Sequence, residues 1–141
     1  MKNVSKLVVR MGLLSLLSVM PLAAQIANGV DFTASFPFYA GNAKMPAGSY
    51  KITQSDVDEN ILQIQSNDGA RSAFVDIIPT HSAQPHPHSD VTFHKYGDTE
   101  YLSRIWVAGQ QYGMKVDPTK GETKAAANAN VVEHSLSANR R

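Results

Sequence analysis

The chain has 141 residues, no cysteine, and 13 basic against 12 acidic residues. That length suffices for one domain, and the lack of thiols excludes disulfide staples, cysteine-ligated zinc and thiol nucleophiles. Three of the basic residues, Lys2, Lys6 and Arg10, lie in the first ten positions, so residues 25–141 carry ten basic against twelve acidic. No basic stripe for nucleic acid remains.

Residues 11–20 read Met-Gly-Leu-Leu-Ser-Leu-Leu-Ser-Val-Met between Arg10 and Pro21, and Ala23 and Ala24 follow. A charged start, a short apolar core and a small-residue exit make the layout of a secretory signal peptide. A membrane-spanning helix needs about 20 apolar residues, more than Arg10 and Pro21 enclose. The expectation is a signal peptide over 1–24, cut after Ala24 with Gly29 as the alternative site. The protein is then periplasmic or extracellular, and not an integral membrane protein once the signal is removed. A cysteine-free exported domain of this size favours a bacterial source over a disulfide-built eukaryotic one.

From Val30 the pattern has period two. Val30, Phe32, Ala34, Phe36 and Phe38 alternate with polar residues, which predicts a half-buried strand. Pro37 on its outward face marks an edge or a bulge. Gly41-Asn42 and Met45-Pro-Ala-Gly48 are turns. Strands follow over Ser49–Gln54 and Ile61–Ser66, and Asn67-Asp68-Gly69 signals a hairpin. The next strand, Ala73–Ile78, reads as buried on both faces. Thr80–Ser89 is a Pro-containing loop, Asp90–Tyr96 a fifth strand, Gly97-Asp98 a turn, and Tyr101–Ala108 a sixth strand. Six short strands at this spacing predict an all-β antiparallel sandwich or barrel-like domain over 25–114. Residues 115–141 read as a polar tail, disordered or weakly helical around Ala125-Ala126-Ala127.

Three segments carry a resemblance: Phe36-Pro-Phe-Tyr-Ala-Gly-Asn42 with Met45-Pro-Ala-Gly-Ser-Tyr-Lys51; Leu62-Gln-Ile-Gln-Ser-Asn-Asp-Gly69; and Val91-Thr-Phe-His-Lys-Tyr-Gly-Asp98 leading to Tyr101-Leu-Ser-Arg-Ile-Trp106. The chain resembles a family of small exported proteins of Acidobacteria and related bacteria. The resemblance implies export and a β fold, and it supplies no catalytic residue.

The candidate chemistry is sparse. His81, His86, His88 and Asp90 crowd one loop and suit Zn(II) or Cu(II) as ligands; this is the one cofactor the sequence suggests. His94 lies in a strand, where it can pair across the hairpin with Tyr101 or Ser103. Asp98 and Glu100 form a carboxylate pair of the kind glycosidases use. No nucleophile elbow, metalloprotease helix or phosphate loop is present. Tyr39, Tyr96 and Tyr112, near turns, are the aromatics placed to contact a ligand. The expectation is an exported domain that binds or supports the envelope or a small molecule without catalysis. A metal-binding protein is the first alternative, and a small hydrolase the second.

Overall fold

The computed structural model describes residues 29–140; the expected signal peptide lies outside them. Strand β1 (Val30–Ala34) turns Val30, Phe32 and Ala34 inward. The alternation continues, but the chain bends at Ser35-Phe36-Pro37, and β2 (Phe38–Ala40) is a separate strand paired with β3 (Ala43–Met45). One expected strand is therefore two. Pro37 has no N–H with which to extend a ladder.

Strands β4 (Gly48–Gln54) and β5 (Ile61–Ser66) fall where expected. The Asn67-Asp68-Gly69 turn works through its side chain. Asp68 Oδ1 accepts from Ala70 N at 2.9 Å and from Ser66 Oγ at 2.6 Å, while Gly69 takes φ 75°. These bonds hold the Asp68 carboxyl below its usual range, Ser66 first and Ala70 next.

Strand β6 (Ser72–His81) is longer than the sequence predicts and passes through Pro79. It is not buried on both faces: Val75 and Ile77 point inward, while Phe74 is 65% and Ile78 48% exposed. Its first half pairs with β5 and its second half with β9 (Tyr112–Val116). Strands β7 (Asp90–Tyr96) and β8 (Thr99–Trp106) form the Gly97-Asp98 hairpin.

The region after 114 corrects the expectation of a polar tail. Thr119 caps helix α1 (Lys120–Asn128), accepting from Glu122 N at 3.2 Å through Oγ1, in a Thr-x-x-Glu pattern typical of helix starts. Strand β10 (Val131–Ser137) then pairs with β7 over seven residues, from Val131 opposite Tyr96 to Ser137 opposite Asp90. Strand β11 (Asn139–Arg140) pairs with β1. The tail is thus part of the sheet. Its low apolar content hid this, because β10 is held by a backbone ladder and polar side chains and leaves Val131 and Val132 exposed.

Among the described residues the fold is all-β with one short helix, and eleven strands form one mixed sheet in the order β10-β7-β8-β9-β6-β5-β4-β1-β11, with β2 joining β8 in parallel at Tyr39 and Tyr101. The two ends of this order, β10 and β11, are separated in the chain by Ala138 alone. One short segment therefore covers both β7 and β1. The core centres on Phe32, Phe38, Tyr50 and Phe93, with Phe38 5.1 Å from Tyr50 and 5.3 Å from Phe93 between ring centres. Each such aromatic pair contributes about 0.5–1.5 kcal/mol beyond its buried area. Among the described residues no helix is long and apolar enough to cross a membrane.

Candidate functional site

The histidine-rich loop does not gather its candidate ligands. His81 is exposed and meets Tyr112 edge-on at 5.2 Å. His86 lies flat on Trp106, with ring centres 4.1 Å apart and planes 8° apart, and its Nδ1 is 3.6 Å from Asp90 Oδ2. His88 is exposed. Among the described residues no group of three or more histidine or acidic side chains is arranged to hold a metal ion. The loop is pinned instead by backbone bonds: His86 N donates to Gln110 O at 3.0 Å, and Gly109 N donates to His86 O at 2.8 Å. Buried Ser89 accepts from Ala108 N through Oγ at 3.0 Å.

The denser constellation lies on the outer face of β7 and β8. Thr92 pairs with Arg104 and Phe93 with Leu102, so Ser103 is an extra residue on β8. A bulge of this kind re-aims a side chain, and Ser103 Oγ reaches His94 Nε2 at 3.2 Å. Of the two cross-hairpin partners expected for His94, Ser103 makes the side-chain contact, while Tyr101 stands opposite it in register. On the opposite edge of β7, Glu133 of β10 stands across from His94 and places Oε2 2.9 Å from the same Nε2. Arg104 lies 3.7 Å from that Glu133 oxygen. The other ring nitrogen, Nδ1, faces the Tyr96 hydroxyl at 3.4 Å and Glu122 Oε1 at 3.6 Å.

Glu122 is the one buried residue of α1. Burial pushes its carboxyl above the usual range, opposed by His94, by the Tyr96 hydroxyl and by Lys115. Tyr96 and Tyr101 are also pushed up, in each case first by burial; Glu122 acts next on Tyr96, and Tyr39 then Glu122 on Tyr101.

Ser103, His94 and Glu122 stand in the order hydroxyl, imidazole, carboxylate used by nucleophilic serines. The order is not sufficient here. Ser103 is buried, and Nε2, which would take the hydroxyl proton, already faces Glu133. The network fixes the ring rather than freeing a nucleophile. The Asp98–Glu100 pair is divided likewise: Asp98 is exposed at the hairpin tip, while buried Glu100 contacts His134 Nε2 at 2.7 Å. His134 in turn lies against Phe36 and Phe93.

Two of the three candidate tyrosines do come together. Tyr39 stacks on Tyr101 at 5.3 Å and 20°, and Tyr96 meets Tyr101 from its other neighbourhood at 5.8 Å and 67°. Tyr112 stands apart with His81. Tyr39 also borders a cleft of about 130 Å³ lined by Pro37, Phe38, Lys44, Asp98, Thr99 and Glu100. Glu122, Glu133 and Lys44 were not singled out by the sequence. The Thr119-x-x-Glu122 pattern marks the start of a helix, but nothing local tells where that helix docks. Comparison with protein-family models, curated proteins and solved structures finds no match.

Proposed function

We propose that this is an exported bacterial β domain that works by binding, without catalysis, and that its ligand is polyhydroxylated, of the kind an envelope glycan presents. The observation that carries the reading is the position of Tyr39. It is half-buried, stacks on Tyr101, and borders the cleft that also holds Lys44, Asp98 and Thr99. Sugar rings offer an apolar face to an aromatic ring and a rim of hydroxyls to charged and polar groups. Aromatic surface with a few placed polar groups is the general make-up of a ligand site.

The cleft measures about 130 Å³, below the roughly 300–1,000 Å³ of sites that enclose a drug-sized ligand. It suits one unit of an extended ligand lying along the face. Residues 1–24 support the compartment, as does the resemblance to small exported bacterial proteins. Intact mass of the protein recovered from the periplasm or medium tests export. The loss of residues 1–24, or of 1–29, is expected, and an uncut chain retained in the cytoplasm refutes it.

Binding is tested by NMR titration with soluble peptidoglycan fragments, chito-oligosaccharides and cello-oligosaccharides. Shifts are expected at Tyr39, Thr99 and Tyr101, with affinity weakened about tenfold by Tyr39→Ala, the upper end for one aromatic stacking contact. No shift at these residues with any of the sugars overturns the ligand class. Shifts that survive Tyr39→Ala unchanged overturn the site.

A further inference from the structure

Helix α1 is attached in an unusual manner. Most helices hold to a sheet by an apolar stripe, but the one buried side chain of α1 is the carboxylate of Glu122. That carboxylate lies 3.6 Å from His94 Nδ1, the nitrogen that the Tyr96 hydroxyl faces at 3.4 Å, and it acts electrostatically on both Tyr96 and Tyr101. We propose that α1 is a pH-responsive latch over Tyr96 and Tyr101, held by Glu122 and released as the surroundings become more alkaline.

The sign follows from the groups that face Glu122. From β7 these are His94 and Tyr96, from β8 Tyr101, and from β9 Lys115. Glu133 on β10 and Arg104 on β8 stand behind His94. The helix itself adds Lys120 and Lys124. The docked carboxyl titrates above the range of an exposed one because it is buried. The docked state therefore binds a proton more tightly than the released state, and that advantage is lost as pH rises through the shifted range.

His94, with Nδ1 3.6 Å from Glu122 Oε1, favours the ionised carboxylate and so works against burial, but burial is the larger influence. Lys115 moderates the effect but does not reverse it, since burial is the largest influence on Glu122.

The latch itself stands on the geometry of α1; its consequence, a ligand face uncovered at higher pH, rests on the binding reading above. The test is hydrogen exchange on the full chain at pH 5, 6, 7 and 8, corrected for intrinsic exchange rates. Protection of residues 120–128 is expected to fall steadily relative to β5 as pH rises across the series. Glu122→Gln, which keeps the shape and stays neutral, should hold protection flat across the series. A wild-type profile as flat as that of β5, or a Glu122→Gln profile as steep as wild type, overturns the latch. Oligosaccharide titration at pH 5 and pH 8 separates the two ideas. Helix release with no sugar bound at either pH sinks the binding reading alone, and sugar binding with a flat helix sinks the latch alone.

Discussion

Gly113 and Trp106 offer the sharpest check on the packing. They face each other in the β8–β9 pair, and a methyl group built on Gly113 would stand 2.5 Å from indole Cε3, 2.7 Å from Cζ3 and 2.9 Å from Cδ2. Gly113 does not have a positive φ, so alanine meets no backbone penalty there and the whole effect must come from the indole. Trp106 cannot easily swing away, because it is 7% exposed and carries His86 flat against it at 4.1 Å. Overpacking of this kind costs about 1–3 kcal/mol. Trp106→Ala alone removes a buried aromatic and should cost about 3–5 kcal/mol. In the Trp106→Ala background the added methyl enters the vacated space, so Gly113→Ala should cost close to nothing or stabilise slightly. The coupling between the two sites is then favourable by about 1–3 kcal/mol. Urea denaturation followed by far-ultraviolet circular dichroism measures all four corners of the cycle, provided the slope m stays constant. Additive costs would refute the indole contact.

Two further outcomes follow from the histidines. His134→Ala should destabilise by about 1–3 kcal/mol, because it leaves the Glu100 carboxylate, whose side chain is 7% exposed, without the partner now at 2.7 Å. His134→Gln, which keeps a donor, should recover much of this in the same urea assay, and an alanine variant as stable as wild type would refute the pairing. Calorimetric titration with Zn(II) or Cu(II) should give the same heats for wild type and for the His86→Ala/His88→Ala double variant. A stoichiometric signal lost in the double variant would show that the loop rearranges to bind metal after all.

The strands that were legible in the sequence are those whose stability is local and apolar. The runs Val30–Ala34, Ile61–Ser66 and Asp90–Tyr96 alternate cleanly because one face is buried, and the Asn67-Asp68-Gly69 and Gly97-Asp98 turns carry their own side-chain and glycine signals. β10 was not legible, because its inward positions are filled by His134 and Leu136 and its stability comes from pairing with a strand some forty residues earlier in the chain. β6 misled in the opposite sense: Phe74 and Ile78 suggest burial on both sides, yet they lie outside. The candidate site divides along the same line. Tyr39 and Tyr96 were placed by their nearness to turns. Glu122 and Glu133 were invisible, since a carboxylate on a polar segment looks solvated until the distant surface it meets is known. The candidate set His81, His86, His88 and Asp90 was the converse case: close in sequence, yet only His86 and Asp90 approach each other, and His86 is tied down by the Trp106 stack and its backbone bonds.

The junction at Ala138 also governs the order of events in time. Val30 pairs with Arg140 and Tyr96 with Val131, so two strands made early wait for a segment made late. Closing such distant pairs is slow, because the entropy of loop closure is spent before the contacts form. During synthesis the outer edges of β1 and β7 stay bare until residues 131–140 emerge. The sheet then gains both missing neighbours within a few residues of each other, and completion of the fold waits for that last segment.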